Sequence, residues 1–185
     1  MSISKAVWYI KTIFSKFQYG RVGAHSYIGK TIFIQRKKNL YIGQNVRIYP
    51  GMRVEQTLKN AKVVIEDNVS IGQNFHVVSY DKELRIGANT TISGNVFISN
   101  VNHDYHEIGV HILEQKMIEE NTKIGENSFI GYGAVILPGT VLGKQCIVGA
   151  NSVVKGIFPD YCVIAGNPAR IIRKYNEEVQ EWQRV

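Results

Sequence analysis

The sequence predicts a solenoid of short stacked repeats, and three observations carry that expectation. Ile118, Ile124, Ile130, Ile136, Leu142, Val148 and Val154 are spaced six apart. Gly follows four of them, as Gly125, Gly131, Gly143 and Gly149. From Ile124 onward a small or modest side chain stands two residues before each beat: Thr122, Ser128, Ala134, Thr140, Cys146 and Ser152. An amphipathic helix needs apolar spacings of three and four, and a coiled coil needs seven. A fixed short period instead requires turns that stack on one another and bury their faces together.

Residues 2–17 precede the beat. Ile3, Val7, Ile10 and Phe14 fall on one helical stripe, with Ala6, Ile13 and Phe17 beside it and Lys5, Lys11 and Lys16 elsewhere. That spacing predicts a short amphipathic helix. Its expected role is to cap the open end of the solenoid. The alternative is a weak peripheral contact with a membrane surface, which Trp8, Tyr9 and the nearby lysines suit. Lys11 and Lys16 break the apolar run and no small-residue cleavage site stands out, so no signal peptide is expected. No stretch approaches the roughly eighteen apolar residues that a membrane span requires.

The repeats begin at Val22-Gly23, Ile28-Gly29 and Ile34. A polar break over 35–39 shifts the phase, and the beat returns at Ile42-Gly43, Ile48 and Val54. After a second break over 55–62 it resumes at Ile65, Ile71-Gly72 and Val77, then at Ile86-Gly87, Ile92 and Ile98. The slips are expected to be corner loops outside the core. The division that follows is a helical cap at 1–20, one solenoid of about seven partial coils at 21–160, and a tail at 161–185. Residues 100–116 are the longest interruption and carry three of the five histidines: His103, His106 and His111. A loop of this length on a compact repeat favours function. In the tail, Gly166 and Pro168 predict a turn, and residues 176–184 a short terminal helix.

The net charge is +7, from 22 basic and 15 acidic residues. That balance favours an anionic partner. No base-reading motif accompanies it, so nucleic acid is not expected. Cys146 occupies a small inward site and reads as a buried thiol, and Cys162 lies in the tail. Two cysteines make neither a disulfide framework nor a zinc cluster, and a reducing compartment fits them.

The text NHDY at Asn102–Tyr105, followed by IGENSFIGYGAVILPGTVLGKQCIVGANSVV and IAGNPARII, resembles the hexapeptide-repeat, coenzyme A-dependent acetyltransferases. The similarity covers most of residues 65–174. It implies an all-β fold, a left-handed parallel β-helix of triangular section, with the short N-terminal helix and a small C-terminal tail or helix. That hand reverses the usual rule for parallel crossovers, so it rests on the resemblance. The beat residue would point inward, and the adjacent Gly would relieve crowding at a corner.

The resemblance also implies a site. His103 matches the family's general base, and Asn102 and Asp104 would orient the loop or the substrate. Imidazole titrates near neutral pH and can take a hydroxyl proton as the oxygen attacks a thioester. Acetyl-coenzyme A would lie along the C-terminal coils as co-substrate, beside Gly133, Ala134, Ala150 and Asn151. Its phosphates would meet Lys155, Arg170 and Arg173 near the tail. Tyr80, Asp81, Tyr105 and Glu107 are candidate acceptor contacts by loop position. No metal is expected. The family is usually a homotrimer with its sites between subunits, and a cytoplasmic location, free or at the inner membrane face, follows from the resemblance. The acceptor implied is a sugar hydroxyl in surface-polysaccharide biosynthesis. Three alternatives stand beside it: N-acetylation of an amino sugar on a nucleotide carrier, a zinc enzyme of the carbonic anhydrase type using the three histidines, and a non-catalytic trimeric scaffold.

Overall fold

A computed structural model describes residues 2–185. One helix, α1 (Ile3–Ser15), is followed by a short 3₁₀ turn (Lys16–Gln18) and then by β-structure. The strands wind into three parallel sheets of a solenoid. Successive strands fall on the first, second and third sheet in turn, which gives six full coils and a two-strand seventh. The register stacks like on like. Ile86 pairs with Ile124, Ile92 with Ile130, and Ile98 with Ile136. In the last coils Ile130 stacks on Val148 and Ile136 on Val154, eighteen residues apart in sequence.

The short period dictates this packing. Most strands in the later coils contain only two residues, an outward one and then a buried beat residue. Ile124, Ile130, Ile136, Val148 and Val154 are all fully buried. The residues at minus two are buried as well, Ala134 and Cys146 among them. The glycine after the beat is demanded by the neighbouring coil. A Cβ on Gly125 would stand 2.1 Å from the Gly143 carbonyl oxygen, and one on Gly131 2.6 Å from the Ala150 nitrogen.

A second periodic feature sits at the corners. Asn45, Asn68, Asn74, Asn89, Asn95, Asn127 and Asn151 all have positive φ, the left-handed conformation that Asn tolerates better than most residues. Each lies three residues after a beat. Neighbouring corners join through their amides, Asn68 Nδ2 to Asn89 Oδ1 at 3.0 Å and Asn74 Nδ2 to Asn95 Oδ1 at 3.0 Å.

Four expectations need correction. The phase slips are not all outside the core. Arg53–Gln56 and His76–Ser79 are four-residue strands whose last residues, Gln56 and Ser79, are buried. Ile118 shares the beat by number only. It belongs to an antiparallel hairpin, pairs with Asn102, and is 38% exposed. No helix forms at 176–184. Instead Ala169–Asn176 pairs antiparallel with Cys162–Gly166 and with Glu181–Arg184, extending the second sheet past the last coil. The open sheet edge there offers backbone partners that outweigh the local helix preference of Glu and Gln.

The fourth correction concerns α1. The helix docks on the first coil, but through the face opposite its apolar stripe. Thr12 is buried, and its Oγ1 accepts from Ile28 N at 2.9 Å. Trp8 packs against Tyr27 and Tyr49 with ring centroids 6.1 and 6.0 Å away. The predicted stripe faces outward: Ile3 is 87% and Phe14 76% exposed.

Cys146 and Cys162 are buried free thiols with their sulfurs 3.5 Å apart on adjacent coils. Its hydrogen bond to Cys162, together with burial, pushes the Cys146 thiol upward.

Candidate active site

Residues 100–120 leave the solenoid as an antiparallel hairpin. Val101–His103 pairs with Met117–Glu119, and a single 3₁₀ turn (Ile112–Glu114) shapes the tip. The hairpin is closed at its root by Glu120 N donating to Asn100 O at 2.8 Å, and further out by Asp104 N donating to Lys116 O at 2.8 Å. His103 therefore stands on ordered strand, opposite Met117. It is half-buried. Its Nδ1 is buried and has no hydrogen-bond partner within the chain.

The neighbours of His103 serve the backbone. Asn102 Oδ1 accepts from His103 N at 3.0 Å. Asp104 Oδ1 accepts from Tyr105 N at 2.7 Å and His106 N at 3.1 Å, and it also binds the His106 ring at Nδ1. The His106 contact and these N–H groups hold the Asp104 carboxyl below the ordinary aspartate range. Asp104 thus folds the turn after His103 and leaves the His103 ring alone. Tyr105 stacks on His106 with centroids 4.6 Å apart. Glu107 N donates to Gln115 Oε1 at 3.1 Å, and the side chain is exposed. His111 Nδ1 accepts from Leu113 N at 3.2 Å. Among the described residues no group of three or more His, Cys, Asp and Glu side chains is placed to hold a metal ion.

Two residues that sequence reasoning missed connect this hairpin to the coil beneath it. Asn100 Oδ1 accepts from Tyr80 N at 2.9 Å. Glu119 Oε1 accepts from Asp81 N at 2.9 Å, Lys82 N at 2.8 Å and Asn100 Nδ2 at 3.0 Å. One carboxylate oxygen therefore gathers three donors and fixes the Tyr80–Asp81 corner against the hairpin root. The partners lie 19 to 38 residues away in sequence, and a polar residue off the beat gives no periodic signal.

The residues expected to meet a coenzyme lie on the later coils. Gly133 has positive φ, and a Cβ there would stand 2.2 Å from Asn151 Oδ1. Ala150 and Asn151 are exposed. Ala134 is fully buried in the core, so its methyl fills the interior and only its backbone can face a ligand. Tyr132 is half-exposed and its hydroxyl meets Asn95 Nδ2. Lys155 Nζ stands 3.3 Å from Glu120 Oε2, which ties the penultimate coil to the hairpin root. Arg170 and Arg173 are exposed on the strand Ala169–Asn176. Arg170 Nη1 donates to its neighbour's carbonyl at Ala169, 2.9 Å away. A groove of about 490 Å³ runs along the first sheet beside Tyr41, Lys62 and Arg85, and none of the candidate site residues lines it.

WbbJ of Escherichia coli K12, whose name provisionally makes it a lipopolysaccharide biosynthesis O-acetyl transferase, is 31% identical to this chain over 160 residues. The alignment covers 83% of this chain and 81% of WbbJ. The chain belongs to the hexapeptide-repeat transferases. The family model described as "Bacterial transferase hexapeptide (six repeats)" matches residues 109–156, the later hairpin and the most regular coils. A second relative, galactoside O-acetyltransferase of E. coli K12, is 35% identical over 117 residues, covering 60% of this chain and 56% of that protein. Among solved structures, AntD of Bacillus cereus, an N-acyltransferase in complex with dTDP and 3-hydroxybutyryl-CoA, shares the fold of this hexapeptide-repeat chain. Its TM-score is 0.74 at 20% identity, over 91% of this chain and 90% of AntD.

Proposed function

We propose that the protein transfers an acetyl group from acetyl-coenzyme A to a hydroxyl of a sugar in surface-polysaccharide biosynthesis, with His103 as general base. The observation that carries this reading is His103 itself: a half-buried imidazole on a rigid hairpin, with a buried Nδ1 that nothing in the chain satisfies. Buried polar atoms in folded proteins are nearly always paired, so an unpaired one at a candidate site marks a ring placed for something other than stability. The names of WbbJ and the galactoside enzyme, both O-acetyl transferases, favour oxygen over nitrogen as the acceptor.

The chemistry follows from the imidazole. The ring takes the proton of the acceptor hydroxyl as its oxygen attacks the thioester carbonyl carbon. A C–O bond forms, the C–S bond breaks, and the protonated ring returns its proton to the departing thiolate. Both substrates sit on the enzyme together, so no acyl-enzyme is needed. Asn102 and Asp104 hold the hairpin backbone that presents the ring. Tyr80 and Asp81, fixed by Asn100 and Glu119, with Tyr105 and Glu107, form the acceptor side.

The residues present fit a coenzyme A ester. Gly133, Ala150 and Asn151 provide a surface without bulky side chains for the pantetheine arm, and the Ala134 backbone adjoins it. Exposed Arg170 and Arg173 offer guanidinium groups to the phosphates. Lys155 sits at the hairpin root, paired with Glu120. The working unit is a homotrimer in which a neighbouring subunit completes each site. The test is an acceptor screen with purified protein and acetyl-coenzyme A, read by thiol release and by the mass of the sugar product. Thiol release coupled to a gain of one acetyl group supports the reading. Failure to bind acetyl-coenzyme A or to cleave it with any sugar of a broad panel contradicts it.

A further inference from the structure

We infer that α1 is an interfacial helix that docks this protein on a bilayer of anionic phospholipid. Ile3, Val7, Ile10, Phe14 and Phe17 form one stripe, and they are 87%, 42%, 53%, 76% and 70% exposed. Thr12, the buried residue of α1, lies about two and a half turns from Ile3 and so points the opposite way. A helix that capped the solenoid in water would bury its isoleucines and phenylalanines and expose its threonine. This helix does the reverse. It is fastened through Thr12 to Ile28 N, and through Trp8 against Tyr27 and Tyr49. The apolar stripe is thereby held outward on a fixed platform. An apolar strip of this kind facing solvent marks a contact surface.

Charge identifies the occupant. The first sixty residues hold eleven lysines and arginines and a single acidic residue, Glu55. The remaining chain is net acidic, so the positive charge is concentrated in the coils that carry α1. Lys11 and Lys16 are exposed on and beside the helix. Lys37 Nζ reaches Gln18 Oε1 at 2.7 Å and Lys38 Nζ reaches Phe17 O at 2.6 Å, which sets two more cations at the end of the stripe. A purely apolar protein partner gives no reason for this ring of cations, and a second copy of the same basic end would repel it. An anionic lipid surface matches both features, apolar residues sinking to the acyl boundary and lysines meeting headgroup phosphates.

The test is co-sedimentation of the full-length protein with phosphatidylcholine vesicles made with or without phosphatidylglycerol. Binding is expected to the anionic vesicles, to weaken as salt rises, and to be largely absent with phosphatidylcholine alone. Ile10→Asp with Phe14→Asp should reduce vesicle binding at least about tenfold, because it removes buried apolar surface. Since both side chains face outward, melting temperature and oligomeric mass should not change. Lys11→Glu with Lys16→Glu keeps the apolar stripe and should selectively lose the preference for phosphatidylglycerol. The inference is overturned if the unmodified protein fails to sediment with anionic vesicles at low salt, or if both double variants bind as it does. A fall in oligomeric mass in the Asp variant, without vesicle binding by the parent, would assign the stripe to a contact between copies and also overturn it. None of these readouts depends on acetyl transfer.

Discussion

Asp104 directs its carboxylate at the His106 ring and at two backbone N–H groups, and His103 is left without an acid beside it. Its lowered pKa has a definite sign. The interaction orders the turn at pH values above the ordinary aspartate range and is lost only as pH falls through the lowered value. A carbon-detected NMR titration should find the Asp104 carboxyl below the ordinary range, and His106→Ala should move it upward. An unchanged titration in that variant would remove His106 as the main cause. Arg170 tests a different chemistry. A guanidinium can hold phosphate in two places and an ammonium cannot. Arg170→Lys should therefore raise the KM for acetyl-coenzyme A by about tenfold while kcat changes little. Equal KM values would separate Arg170 from the phosphates. At this scale the sequence was partly legible. His103 stood in a recognisable text, but Glu119 and Asn100 act through contacts that span distant turns, which no local pattern encodes. The corner asparagines stand three residues after seven of the beats, and their meaning required the left-handed backbone found at those positions.

The coil is the unit in which glycine matters. At Gly125 the next coil passes so close that a Cβ would stand 2.1 Å from a backbone oxygen that cannot swing aside. Gly125→Ala should cost about 1–3 kcal/mol, as overpacking does, measured by urea unfolding. A variant as stable as the parent would show that the coils can separate without penalty. The period was easiest to read where it is strictest, from Ile124 to Val154, because two-residue strands leave no room for variation. It misled at Ile118, where a return strand of the hairpin fell on the same count by coincidence. It also gave no account of the C-terminal segment, where pairing with an exposed sheet edge overrode local preference. For α1 the helix was legible from its apolar spacing, but spacing alone could not say which face would dock. The docked face is chosen by one threonine hydroxyl and an aromatic cluster.

The whole molecule is polarised along its axis, with α1 and the basic coils at one end and the antiparallel C-terminal strands at the other. The candidate site lies between them, rooted on the fourth and fifth coils, and one chain leaves the buried Nδ1 of His103 unpaired. If the proposed homotrimer is the working unit, light scattering should give three times the chain mass, and activity should fall when the protein is diluted to monomer. A fully active monomer would contradict the shared site. The most direct test of the central claim is the turnover of His103→Ala at saturating acetyl-coenzyme A and acceptor. Because His103 is off the beat, stability and coenzyme affinity should stay near the parent's, whereas Ile130→Ala should lose about 2–5 kcal/mol through a core cavity. The account predicts a fall in kcat of about 10²–10⁴-fold for His103→Ala. A folded His103→Ala protein that turns over at the parental rate would contradict it.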